Sequence, residues 1–110
     1  MCGISGAIAL GGTTIAADEI VAVNDAMFLR GPDDAGLFCD GQAALGHRRL
    51  SIIDLSSGHQ PMSTADARLH VVFNGEIYNF AALRDELVTC GHVFRTKSDT
   101  EVILAGYAQW

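Results

Sequence analysis

The sequence predicts a mixed α+β fold on three observations. Short runs of small or branched apolar residues, bounded by glycine, proline or aspartate, recur through the first two thirds of the chain. One stretch between them, 17–28, carries apolar residues at helical spacing, and two further segments with helix start signals follow at the carboxyl end. With 110 residues, 49% of them apolar, the chain has enough material for the core of one small domain.

The elements follow in order. The run GISGAIAL, 3–10, is small and apolar throughout, which suits a strand covered on both faces before the turn at Gly11-Gly12. Glycines inside such a strand mark the close approach of another backbone or of a ligand. ADEIVAVNDAMF places Ile20, Val23, Met27 and Phe28 on one helical face, with Asp18 and Glu19 in the first turn, where the helix dipole favours anions. Pro32, in LRGPDDAG, ends that helix and begins a loop.

Two strands are expected at 36–39 and 43–49, joined through Asp40-Gly41, a hairpin signal. LSIIDLSSGHQPM reads as a further extended stretch and then a loop. RLHVVFNGEIYN reads as a buried strand with Leu69, Val71 and Phe73 on one face, broken at Asn74-Gly75. Asn79 is placed to cap a helix with Phe80, Leu83 and Leu87 on its apolar side, and Gly91 to end it. Ser98 and Glu101 have the spacing of a capping box for a last helix through Val102, Ile103 and Tyr107. That helix carries no stop signal before Trp110, and the strands lack a closing partner sheet, so a truncated domain is expected.

Composition narrows the function. A net charge of −6 without a block of Lys or Arg speaks against a nucleic-acid or anionic-membrane surface, leaving small polar metabolites as ligands. No apolar run approaches the roughly 18 residues of a bilayer span, and the default expectation is a cytosolic protein. Cys2, Cys39 and Cys90 are odd in number and widely separated, so neither a disulfide framework nor a zinc site is suggested. Cys39 and Cys90 read as buried structural thiols. His47, His59, His70 and His92 lack metal-ligand spacing and read as surface or hydrogen-bonded side chains.

A few residues could carry chemistry. Removal of Met1 would give Cys2 both a thiol and a free α-amine, and an amine with a reference pKa of about 8 can act as base for its own thiol near neutral pH. Asn74 and the Gly75 N–H could converge on an oxyanion, although Asn-Gly alone is also an ordinary turn. Arg49, at a strand end, could grip a carboxylate with two parallel hydrogen bonds, and Arg48 should point to the opposite side of the strand. Either arginine could instead be a solvated surface charge. Glu76 and Asp99 could accept from an ammonium group, although Asp99 is equally explained by the helix dipole. Thiol, oxyanion donors, cation and anions together suit an α-amino acid with a side-chain amide.

MCGISG, RGPDDAG, GHRRLSIIDLSSGHQPM, VFNGEIYN and GHVFRTKSDTEVILAGY, in this order, resemble the amino-terminal glutaminase domain of glutamine-hydrolysing asparagine synthetases. These are class II glutamine amidotransferases of the N-terminal-nucleophile hydrolase type, and the resemblance covers essentially the whole chain. It implies part of a four-layer αββα sandwich, with 1–110 as a truncated type-2 amidotransferase domain. It also implies hydrolysis of glutamine to glutamate and ammonia for asparagine synthesis. By this resemblance Cys2 is the nucleophile, Asn74 and Gly75 form the oxyanion hole, and Arg49 holds the substrate carboxylate. Glu76 and Asp99 bind its ammonium group, and Arg30 has a structural role near the site.

No metal or cofactor is expected in this part. ATP and magnesium belong to a synthetase domain acting in cis or in trans, and the resemblance allows a homodimer of the full-length enzyme. Two departures are visible: Leu29 stands where the family usually has histidine, and the family's glutaminase domain is considerably longer. The alternatives are another class II amidotransferase, an asparagine-synthetase-like enzyme with a different acceptor, or a non-catalytic remnant.

Overall fold

A computed structural model describes residues 1–51 and 58–110. The extended stretch expected in LSIIDLSS falls largely on 52–57, outside the described residues. Strands β1 (Gly3–Ile8), β2 (Asp34–Cys39) and β3 (Ala43–Arg49) form an antiparallel sheet in the order β1-β3-β2. The expected hairpin forms: Gly41 takes φ 88° at the first central position of the turn, and the Asp40 carboxylate accepts from the N–H groups of Gln42 and Ala43, both at 2.8 Å. Strand β2 begins two residues earlier than expected, at Asp34, which lies opposite Arg49.

The alternation of β3 separates its two terminal arginines, as expected. Arg48 faces helix α1 (Ala17–Ala26), where its Nε donates to the Asn24 carbonyl at 3.1 Å and its guanidinium pairs with Asp25. Helix α1 covers this face through Ile20, Asn24 and Met27. A Cβ on Gly3 would lie 3.0 Å from the Met27 sulfur, so glycine there lets the helix close on the strand. Val23 and Phe28, expected on the buried face, are half exposed. The contact row runs 20, 24, 27, and the small side chains of β1 leave no groove for a wider stripe.

Arg49, His47 and Leu45 occupy the other face, together with Asp34, Gly36 and Phe38 of β2. Strands β4 (Met62–Ser63) and β5 (His70–Val71) form a small antiparallel pair there, and the His70 ring stacks on Phe38 with centroids 3.8 Å apart. Helix α3 (Thr100–Gln109) contacts both short strands and packs beside α2 (Phe80–Thr89), so layers lie on both faces of the three-stranded sheet. Buried apolar side chains are Ile20, Ala44, Met62, Leu87, Val102 and Leu104. Tyr107 is exposed near the end of α3.

The strand expected from Arg68 to the break at Asn74-Gly75 shortens to His70–Val71, and Leu69, Val71 and Phe73 are only half buried. Its partner β4 is equally short, and beyond it side chains take over the backbone donors. Phe73 N–H donates to Gln60 Oε1 at 2.6 Å, and Ile77 N–H to Asp99 Oδ2 at 2.8 Å.

Helix α2 ends as expected, with Gly91 at φ 96°. The Gly91 N–H reaches the Val88 carbonyl and the His92 N–H the Leu87 carbonyl, a Schellman closure. The Asn79 side chain makes no cap hydrogen bond. Nor does the expected capping box form at α3. Ser98 Oγ accepts from Thr100 N–H, but the Glu101 carboxylate turns back to Arg95 N–H and Thr96 N–H, each at 2.8 Å, and to the Thr96 hydroxyl at 2.6 Å. Two unpaired loop donors lie within its reach, and bonding both outweighs closing one cap.

Candidate active site

Cys2 precedes β1 by one residue. Continuing the register Gly3↔Arg48 by one step sets Cys2 opposite Arg49, while Asp34 stands opposite Arg49 on its other side. Cross-strand partners share a face, so Cys2, Arg49 and Asp34 form a row across three strands. The Cys2 thiol is half buried. Its sulfur accepts from Leu50 N–H at 3.5 Å and faces the Leu50 carbonyl at 4.0 Å, which extends the β1–β3 ladder by one sulfur-mediated rung. Met1 is exposed.

The loop before β2 is docked onto the end of β3. Pro32 forms a parallel bridge with Arg49, Asp33 N–H donates to the Arg49 carbonyl at 3.0 Å, and the Asp33 carboxylate accepts from Ser51 N–H at 2.7 Å. A Cβ on Gly31 would meet the Arg48 carbonyl carbon at 2.3 Å, so no larger residue fits at this approach. Arg30 and Leu29 lie exposed in the short 3-10 turn Phe28–Arg30. The Arg30 side chain faces solvent.

The Arg49 guanidinium lies beside Gly58, φ 107°, where an added Cβ would stand 3.3 Å from Nη2 and 3.8 Å from Ser98 Oγ. Arg49 thus reaches from the end of β3 toward the amino end of α3. Asp99, the next residue, binds Ile77 N–H and ties the segment 74–77 to the same helix end. Asn74, Gly75 and Glu76 are exposed side by side, and the Phe73 ring folds beneath Gly75, 2.7 Å from where a Cβ would stand. The structure therefore joins Cys2 to Arg49 by register, and Asp99 to the Asn74–Ile77 segment by a hydrogen bond. Among the described residues the thiol's hydrogen bonds go only to Leu50, and none joins it to Asn74, Glu76 or Arg30.

Four residues in this region had no place among the sequence candidates. Asp34 accepts from His59 Nδ1 at 2.7 Å and from Ala35 N–H at 2.8 Å. Burial pushes the Asp34 carboxyl up, but the hydrogen bond and charge of His59 prevail and hold it below its ordinary value. Buried Gln60 bridges Phe73 N–H and the Thr100 hydroxyl, linking the two edges of the site. His47 is 1% exposed and so not a surface histidine; its Nε2 has no partner among the described residues, while the Phe73 backbone hydrogen-bonds the ring. Burial drives its pKa below the usual 6.5, with Asp34 opposing. Cross-strand register brings these groups together, and register is invisible in the sequence spacing.

The three cysteines are unpaired. Cys39 is half buried with its thiol toward the Ile15 carbonyl at 3.6 Å, and Cys90 is exposed because it caps α2 on the solvent side, contrary to a buried role. Among the described residues no group of three His, Cys, Asp or Glu is arranged to hold a metal, and no helix is long and apolar enough to cross a membrane.

The fold is mixed α+β, with Cys2 across from Arg49, and comparison with known families gives the class. Residues 1–110 match the model of the glutamine amidotransferase domain, and the chain belongs to that family. It is 44% identical over 113 residues to asparagine synthetase (glutamine-hydrolyzing) 1 of Bacillus subtilis, covering 100% of this chain and 18% of that protein. It is 40% identical over 110 residues to asparagine synthetase (glutamine-hydrolyzing) 3 of Arabidopsis thaliana, covering 99% of this chain and 19% of that one. A putative asparagine synthetase (glutamine-hydrolyzing) of Mycobacterium tuberculosis H37Rv is 46% identical over 105 residues, 86% of this chain and 16% of its own length. The chain thus spans less than a fifth of these relatives.

Proposed function

We propose that this chain carries the glutamine site of an asparagine-synthetase-type amidotransferase, hydrolysing glutamine to glutamate and ammonia. The observation that carries the reading is the placement of the Cys2 thiol across from Arg49, with the thiol anchored on Leu50. In this mechanism Met1 is removed, and its exposure suits an aminopeptidase. The α-amine of Cys2 takes the thiol proton, and the sulfur attacks the side-chain amide carbon of glutamine. Asn74 and the Gly75 N–H hold the resulting oxyanion, and the proton passes to the leaving nitrogen. Ammonia departs, a γ-glutamyl thioester remains, and water cleaves it to glutamate and the free thiol.

Arg49 binds the substrate α-carboxylate through paired N–H donors, and Glu76 and Asp99 accept from its α-ammonium. Arg30 keeps a structural role through its loop. Residues 1–110 form the first part of a larger αββα domain. The helix on one face of the main sheet, with short strands and α3 on the other, supports that layering. Aspartate activation with ATP and magnesium falls to a synthetase domain in the remainder of the longer protein, and a homodimer belongs to that whole.

Mass spectrometry before and after exposure to a diazoketone analogue of glutamine tests the site. The expected result is a chain beginning at Cys2 with one adduct on its sulfur. Retained Met1 with no adduct overturns the proposal.

A further inference from the structure

We propose that Asp34 and His59 are positioning residues that latch the 58–60 segment across the Arg49 guanidinium and so set the grip on the substrate carboxylate. The inference rests on the reading of Arg49 as that grip. Asp34 stands directly across from Arg49, on the side away from Cys2. Its Oδ1 is held by Ala35 N–H, which fixes the carboxylate rotamer and presents Oδ2 to His59 Nδ1 at 2.7 Å. His59 is joined directly to Gly58, where an added Cβ would stand 3.3 Å from Arg49 Nη2, and to Gln60, whose carbonyl fills the space above Gly36.

A Cβ on Gly36 would fall 1.8 Å from that carbonyl oxygen, so the segment sits tightly on β2 at this point. Among the described residues the segment is therefore fastened at His59 to Asp34 and at Gln60 to Phe73 and Thr100, with the arginine beside Gly58. His59 is itself mostly exposed. An exposed imidazole whose one described hydrogen bond reaches a carboxylate beside Arg49 contributes by holding chain, and little by filling a core. Loosening it would let Gly58 withdraw and the guanidinium swing. The cost would appear in recognition of an α-carboxylate and not in the intrinsic reactivity of the thiol.

The test measures the rate of Cys2 labelling against concentration of the diazoketone glutamine analogue, in the parent chain, His59→Ala, His59→Asn and Asp34→Ala. Iodoacetamide, which has no carboxylate, serves as the control electrophile. His59→Ala and Asp34→Ala should each raise the half-saturating analogue concentration about tenfold, in line with loss of one charge-assisted hydrogen bond. The maximal rate and the iodoacetamide rate should change less than about twofold, and His59→Asn, which keeps a donor, should recover much of the loss. A half-saturating concentration unchanged in both alanine variants overturns the latch while leaving the glutamine site intact. Equal slowing with iodoacetamide overturns it as well, because the effect would then be general structural damage. A parent chain that does not label at Cys2 overturns the glutamine-site reading itself, and the latch with it.

Discussion

Glu101 is 6% exposed and still favours its charged form. Burial pushes its carboxyl up, but the N–H groups of Arg95 and Thr96 and the Thr96 hydroxyl bind the anion and bring it below the ordinary 4.5. A group depressed on folding stabilises the fold above its unfolded pKa and loses that contribution as the pH falls through the folded value. His47 acts in the same direction from a different cause, because burial disfavours its cation. Stability should therefore decline first as pH drops below 6.5 and again below 4.5. Urea unfolding across this range checks it. Glu101→Gln should cost about 1–3 kcal/mol at neutral pH and shrink the lower step, to which Asp34 also contributes, leaving the upper one in place.

At the level of elements, the closure of α2 is a clean test of backbone conformation. Gly91 sits at φ 96° with open space where a side chain would project, so Gly91→Ala adds backbone strain without a clash. About 1 kcal/mol of lost stability is expected, which lowers the melting temperature by several degrees in a domain of this size. Calorimetry on the two proteins reads this directly.

This stop was legible because glycine after a helical run has a local cause. The Asp40-Gly41 hairpin was legible for the same reason, whereas α1 ends at Ala26, ahead of the stop expected at Pro32. The capping box at Ser98 and Glu101 was misread, since loop donors at Arg95 and Thr96 compete for the carboxylate and no spacing rule counts them. The long strand through Phe73 failed similarly: apolar alternation was present, but the ladder ends where Gln60 and Asp99 supply acceptors from distant parts of the chain.

At the scale of the molecule, the proposed reading puts the glutamine site and the step that uses its ammonia in different parts of a longer protein. In a protein carrying the following synthetase domain, Cys2→Ala should lower glutamine hydrolysis on the order of 10⁴-fold or more, while ammonia-dependent synthesis persists. Paired assays with glutamine and with ammonium salt as nitrogen source check this, and equal loss in both would contradict it.

Cys2, Arg49 and Asp99 could be proposed from residue type and motif, because each is a chemically distinctive group. Asp34, His59 and Gln60 could not. Their relation to Arg49 exists only after three strands pair and a loop folds back on them.

Strand β1 pairs along one side only among the described residues, and Ile4 and Ile8 stand exposed on it. An uncovered edge of this kind is a template on which strands of other molecules can grow. The residue directly ahead of that edge is Cys2. Self-association beginning there would occlude the thiol, so labelling of Cys2 should slow as the concentration of this chain rises, and a rate independent of concentration would contradict it.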